Sequence, residues 1–310
     1  MLKYFLIALC VFSVSCQTTK VKTSDSPKMV EPEKKVETKQ PAPLVVQPST
    51  QPPTQLQMTQ PQTGMAPTKS TTQHFGIIFS GGGAKTWAHI GVLKEMQKYK
   101  IPVSSVAGLE WGSVVAAIYG QNLSANEVEW EMSKFKDLDK WSDFIKAIFA
   151  KKTVADMKTS FVCPSLNLKT QTYYLLNRGN LDQFIPFCLP SAGLVKPYGQ
   201  SVSVMSDIVG VAQHMRATGA NKIILINVLS NRGAKSYSKG IESAENQIWT
   251  ESAAQMTSAI MRKNAGIDEV IEINTNDFSI DDFSKRRDLI MKGGDQGAAL
   301  VKKIADKYNL

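Results

Sequence analysis

The chain has 310 residues, 43% of them hydrophobic and 20% charged, with a formal net charge of +9. That is enough apolar material for one sizeable core, and the composition divides the chain into a polar N-terminal stretch and one folded body. The basic residues are spread thinly, with no Lys/Arg block interleaved with aromatics, so nucleic acid is excluded as a partner, while a mild attraction to anionic lipid headgroups is expected.

The first element runs from Met1 to Ser15, with Lys3, an apolar run from Tyr4 to Phe12, and Ser13-Val14-Ser15 ahead of Cys16. This is the pattern of a secretory signal peptide over residues 1–15, too short to span a bilayer. A small residue directly before cysteine resembles a bacterial lipoprotein cleavage site, which implies a lipidated Cys16. Ser13 stands where an apolar residue is usual, and a plain signal peptide is the alternative. Residues 16–73 then read as a tether. From Gln17 to Gln73 the chain holds nine of its fourteen prolines, one glycine and no aromatic residue. Such a stretch buries too little apolar surface to offset ordering entropy, so a disordered spacer is expected. A cell-wall-binding role is the alternative, though no motif marks it. These features place the protein in the bacterial cell envelope, joined to a membrane by its lipid, with the body in the periplasm or at the surface. Gln17 after the cysteine favours the outer membrane over the inner, by general resemblance to other lipoproteins.

The body, residues 74–310, alternates strand and helix patterns, the signature of an α/β fold around a mainly parallel sheet. Phe75 to Phe79 reads as a strand and runs into Ser80-Gly81-Gly82-Gly83-Ala84-Lys85. A helix follows with Ile90, Leu93 and Met96 at three-residue spacing, ending before Pro102. Val103 to Ala107 is the second strand, and Ser113 to Tyr119 a helix. Ser124 and Glu127 form a capping-box pattern that opens a helix through Phe135. Trp141 to Phe149 is a further helix, Lys222 to Val228 a buried β-branched strand after a helix ending at Gly219, and Val270 to Ile273 a last strand. Ser230 to Ser243 is breaker-rich and reads as a loop; Ser284 to Tyr308 is mostly helix. Only Cys163 and Cys188 fall in the body, either as a disulfide or as two buried thiols. His74, His89 and His214 are scattered, so neither a metal nor another cofactor is expected.

Two turns carry the chemistry. The glycine run lets the backbone turn tightly and converge its amide hydrogens ahead of a helix N-terminus, a cradle for a phosphate or for the oxyanion of an acyl intermediate. It lacks the Gly-Lys-Ser/Thr ending of a phosphate loop and the spacing of a dinucleotide fingerprint. About 25 residues later, by the nucleophile-elbow pattern Gly-x-Ser-x-Gly, stands Gly108-Leu109-Glu110-Trp111-Gly112. Both glycines of the strand-to-helix turn are in place, and glutamate occupies the position of the serine.

The chain resembles the patatin-like phospholipase family. Phe79 to Lys85, Ala88-His89-Ile90-Gly91-Val92-Leu93 and Val106-Ala107-Gly108 match its N-terminal half. Asn167 to Thr170, Arg178 to Leu181, Leu189-Pro190-Ser191-Ala192-Gly193 and Arg216 to Ala220 look like degenerate later segments. The resemblance implies a three-layer α/β/α sandwich and lipid acyl hydrolysis by a serine–aspartate dyad without histidine. Carried over, the oxyanion loop maps to Gly81, Gly82, Gly83 and Ala84, with Lys85 as the basic residue and Thr86 where a glycine often follows. The nucleophile position maps to Glu110 and the aspartate position to the neighbourhood of Ser203, with Asp207 a substitute only in a shifted loop. Both dyad positions thus lack their catalytic group.

A carboxylate at the elbow faces the glycine-loop amides and a helix N-terminus, which favour the anion, so Glu110 is expected to be ionised. It plugs the oxyanion hole, pairs with Lys85, or stands in solvent; a covalent role would need a second group to activate water. Ser113 is the other candidate nucleophile; one turn into the helix, it is expected to point away from the elbow. Trp111 either crowds an acyl pocket or packs in the core. Two functions follow. One is a catalytically inactive, membrane-tethered protein that binds lipid or an envelope partner; the other is a lipid acyl hydrolase with rearranged catalytic groups.

Overall fold

Two phenylalanines and two isoleucines around Gly76 form strand β1, Phe75–Phe79, and all five residues are buried. A strand covered on both faces needs such a run, and it belongs at the centre of a sheet. The computed structural model describes residues 73–229, 237, 243–262 and 265–310; the expected signal peptide, Cys16, nearly all of the tether and most of the 230–243 loop lie outside them. Beyond β1 the strands are β2 (Val103–Gly108), β3 (Ser160–Asn167), β4 (Thr172–Leu176), β5 (Ser201–Ser203), β6 (Lys222–Asn227) and β7 (Glu269–Glu272). They form one sheet in the order β4-β3-β2-β1-β6-β7, with β5 also paired to β3. β1 runs parallel to β2 and β6, β2 to β3, and β6 to β7. The β3 pairings with β4 and β5 are antiparallel.

Among the described residues the α-helices are α1 (Ala88–Lys98), α2 (Gly112–Asn122), α3 (Ala125–Ser133), α4 (Trp141–Phe149), α5 (Leu181–Cys188), α6 (Ile208–Ala217), α7 (Ser243–Met261) and α8 (Arg286–Tyr308). Alternation along β1 sorts them into two layers. Phe75, Ile77 and Phe79 pack with Ile90, Val114 and Leu289 of α1, α2 and α8. Ile78, on the other face, packs with Val211 and Met215 of α6 and Met256 of α7. The expected three-layer α/β/α sandwich is therefore present. Ser124 caps α3 by accepting the Glu127 N–H at 3.3 Å, but the helix ends at Ser133 rather than Phe135. Cys163 of β3 and Cys188 of α5 are joined as a disulfide, with Cα atoms 6.2 Å apart. Among the described residues no helix is long and apolar enough to cross a membrane, and no group of side chains is placed to hold a metal ion.

Candidate functional site

Strand β2 ends at Gly108 and α2 begins at Gly112. The turn between them is so tight that a Cβ on Gly108 would lie 2.2 Å from the Ser113 Cα, and one on Gly112 2.5 Å from the carbonyl oxygens of Phe79 and Ser80. Both glycines are thus required by close backbone approach. Between them Glu110 adopts a left-handed conformation, φ 52°, a geometry that costs a non-glycine residue about 1 kcal/mol or more. The elbow predicted from the sequence is formed, and its central side chain turns inward.

Glu110 is fully buried. Its Oε2 accepts the backbone N–H groups of Gly82 and Gly83, each at 2.9 Å, and its Oε1 accepts the Ser191 hydroxyl at 3.0 Å. Of the three fates open to this carboxyl, the structure selects occupation of the glycine-loop amides. Lys85 is not its partner: the Lys85 ammonium lies 5.2 Å above the Tyr237 ring. Burial lowers the Lys85 amine to about 8, partly offset by Asp277. For Glu110, burial pushes the carboxyl up to about 7, against the hydrogen bonds from Gly82, Gly83, Trp111 and Ser191, which pull it down. The expectation of a fully ionised carboxylate is corrected on this point, because the loss of hydration outweighs the amide donors. At neutral pH the group is divided between acid and anion.

The glycine loop is braced from below. The Ser80 hydroxyl accepts the Val228 N–H at 2.9 Å, and the Ser80 carbonyl accepts from His89 Nε2 at 2.9 Å. Burial lowers His89 to about 4, so the ring is neutral and serves as a strut. Gly81 and Ala84 line the same turn, and the Ala84 N–H is taken by the Ile280 carbonyl at 2.6 Å. Ser113 is buried, and its hydroxyl has no hydrogen-bond partner among the described residues. Trp111 packs against Phe135, Phe283 and Phe144 at centroid distances of 4.8, 5.1 and 6.5 Å. It is a core residue and does not narrow an acyl pocket.

Beside the elbow lies a cavity of about 520 Å³ whose wall includes Ser191, Leu194, Val195, Ser203, Met205 and Ile248. Ser203, the position expected to replace the aspartate, donates its N–H to the Pro190 carbonyl at 2.8 Å, and its buried hydroxyl has no hydrogen-bond partner among the described residues. The structure therefore brings Ser203 to the cavity wall with Ser191, where a hydroxyl stands at the position expected of the aspartate. Asp207 does not substitute for it. Its carboxylate accepts the Gly210 N–H at 2.9 Å, capping α6, and bonds the Tyr173 hydroxyl. Sequence reasoning gave Ser191 no role, although the segment Leu189 to Gly193 was singled out; its bond to Glu110 spans 81 residues and leaves no local trace in the sequence.

Comparison with known proteins bears directly on this site. A family model described as patatin-like phospholipase matches residues 77–260, from β1 to the end of α7. Lysophospholipase NTE1 of Pyricularia oryzae is 22% identical over 178 residues, 49% of this chain and 12% of that protein. A patatin-like phospholipase domain-containing protein of Caenorhabditis elegans is 25% identical over 203 residues, 55% of this chain and 15% of its own length. The match thus spans a small part of each relative. Among solved structures, VipD from Legionella pneumophila aligns over 74% of this chain and 67% of its own, at 10% identity and a TM-score of 0.42. The family match covers more than half of the chain and includes the glycine loop and the elbow, and the chain belongs to the patatin-like phospholipase family.

Proposed function

We propose that this protein is a catalytically inactive member of its family, tethered to an envelope membrane through Cys16, that binds a lipid acyl chain in the cavity beside the elbow. The carrying observation is the occupation of the Gly82 and Gly83 amides by the protein's own Glu110 carboxyl. Oxyanion donors stabilise the transition state of acyl transfer only when they are free to meet the developing charge. Here they are satisfied in the resting state by a group that is covalently held in place. The apolar wall around Leu194, Val195 and Met205 accommodates an alkyl chain, and such burial needs no chemistry to be useful. An envelope protein in place of the lipid is the other partner consistent with a tethered body.

The test is hydrolysis of short- and medium-chain p-nitrophenyl esters and of a phospholipid by the full chain, with Glu110→Ala as control. The expected result is no turnover above the control, and none in Glu110→Ser, because Ser203 supplies no carboxylate to activate a restored hydroxyl. Turnover that Glu110→Ala abolishes would overturn this reading.

One observation favours a second reading, acyl hydrolysis with rearranged groups. The Ser191 hydroxyl bonds the Glu110 carboxyl at 3.0 Å on the cavity wall. A carboxylate there can take the Ser191 proton as the oxygen attacks an ester carbonyl, then return it to the departing alcohol. In that case turnover is lost in Ser191→Ala and rises with pH as Glu110 deprotonates near 7.

A further inference from the structure

We propose that a second cavity, at the opposite end of the sheet from the elbow, binds a small organic carboxylate with an apolar body. The cavity holds about 380 Å³ and lies where β1 and β2 begin and where α1 and α2 end. That is the lower end of the ~300–1,000 Å³ range of small-molecule sites. Its apolar wall is made by Ile101, Pro102, Val103 and Leu123. Tyr119 of α2 also lines it and is 4% exposed. The Tyr119 ring packs edge-on against Phe79 at 6.4 Å, while its hydroxyl has no hydrogen-bond partner among the described residues. Burial raises that hydroxyl to about 12, so it remains a donor at neutral pH. Two other polar groups of the wall are already engaged. The Gln97 amide donates to the Leu123 carbonyl at 3.2 Å and accepts the Ala125 N–H at 3.0 Å. The Ser104 hydroxyl donates to the Phe75 carbonyl at 3.3 Å. A nearly buried donor without a partner is costly, and a ligand oxygen in the cavity satisfies it.

The charge on the wall selects an acid. Lys100 and His74 line the cavity and no acidic residue does. Acids on the flanking segments are paired elsewhere: Glu95 with Lys98, Asp268 with Arg216, and Glu269 with Lys307. Lys100 has no ion-pair partner among the described residues. Two helices end here, and their carbonyl groups would by themselves favour a cation. Those carbonyls are answered within the protein: Tyr119 by the Leu123 N–H at 2.6 Å, and Asn122 by the Lys158 ammonium at 3.2 Å. The Gln97 carbonyl accepts the Lys100 N–H at 3.1 Å. The Lys100 ammonium is therefore left to a ligand, and with the Tyr119 hydroxyl it supplies two donors to one carboxylate. One ammonium balances a monoanion, whereas a phosphate monoester brings up to two charges. The site is independent of the acyl-binding reading, since it shares no residue with the cavity beside Glu110.

Amide hydrogen exchange of the full chain tests this with phenylacetate and hexanoate, and with phenylacetamide as the uncharged counterpart. Either acid is expected to slow exchange saturably in residues 97–104 and 118–124, and phenylacetamide is not. Loss of a hydrogen bond to a charged group weakens binding about tenfold. The concentration at half-saturation should rise by that factor in Lys100→Gln and in Tyr119→Phe. Lys100 is exposed and Tyr119→Phe keeps the ring on Phe79, so both variants should melt with the wild type. No slowing by either acid would overturn the proposal, as would equal slowing by phenylacetamide or wild-type half-saturation in either variant. Slowing confined to 189–195 would overturn it in favour of the cavity beside the elbow, and would leave the acyl-binding reading standing.

Discussion

At the elbow, one carboxyl takes the place of the hydroxyl that the turn was shaped to present. Glu110 fills the amide cradle, and this has a measurable thermodynamic signature. Its folded pKa is raised from 4.5 to about 7 by burial. Between those values the folded state holds a proton that the unfolded chain has released, so stability falls as pH rises through this window. The penalty is absent below about 4.5 and complete above about 7, with an upper bound of roughly 3 kcal/mol. Glu110→Gln keeps an oxygen for the Gly82 and Gly83 N–H groups and offers its amide to the Ser191 oxygen. Its melting temperature should exceed that of the wild type at pH 8 and converge with it near pH 4.5; parallel pH profiles would refute the assignment. The position of Glu110 was legible in the sequence because the two elbow glycines bracket it. Its protonation was not, because desolvation depends on side chains from segments far away along the chain.

Among the elements, those with one strong period were read well. Strand β1, helix α4 and the junction of β2 with α2 lie where the pattern placed them, since the first two are apolar stretches with clear breakers and two glycines mark the third. The stretch from β3 to β5 went unread for a physical reason. β3 carries Pro164 and α5 carries Pro186, residues that argue against regular structure when seen in isolation. Tertiary packing and the Cys163–Cys188 bond, across a separation of 25 residues, hold both elements regardless. Closing a loop of that length stabilises by about 3 kcal/mol in the chain-entropy model. The Cys163→Ala/Cys188→Ala double variant should lose about that much in a denaturant titration. Because Cys188 stands three residues before Ser191, the loss should be accompanied by faster amide exchange in the 189–195 segment. Unchanged exchange there would mean that the bond does not restrain the Glu110 partner.

Across the whole body, the parallel sheet and its two helical layers followed from the alternation of strand and helix patterns, but the closure of the layer by α8 did not. That closure is made by glycines facing each other. A Cβ on Gly293 of α8 would sit 2.0 Å from the Ala88 carbonyl oxygen, and one on Gly91 of α1 would sit 2.1 Å from that of Ile290. Nothing in a single helix announces such an approach, since it is a property of the pair. Gly293→Ala should force the helices apart and cost about 2 kcal/mol or more, read as a lowered midpoint in urea. A variant with the wild-type midpoint would show that the contact is looser than this geometry.

The seat of α8 also sets when the body can fold. Strand β1 is completed by β6, about 150 residues later, and α1 by α8, about 200 residues later. Contacts this distant along the chain are slow to form, because loop-closure entropy is lost before any packing is gained. During synthesis the central strand must wait, with its apolar faces uncovered, until β6 and α8 have followed. The frame that carries the Glu110 clasp is therefore completed late in synthesis, well after the elbow itself has been made.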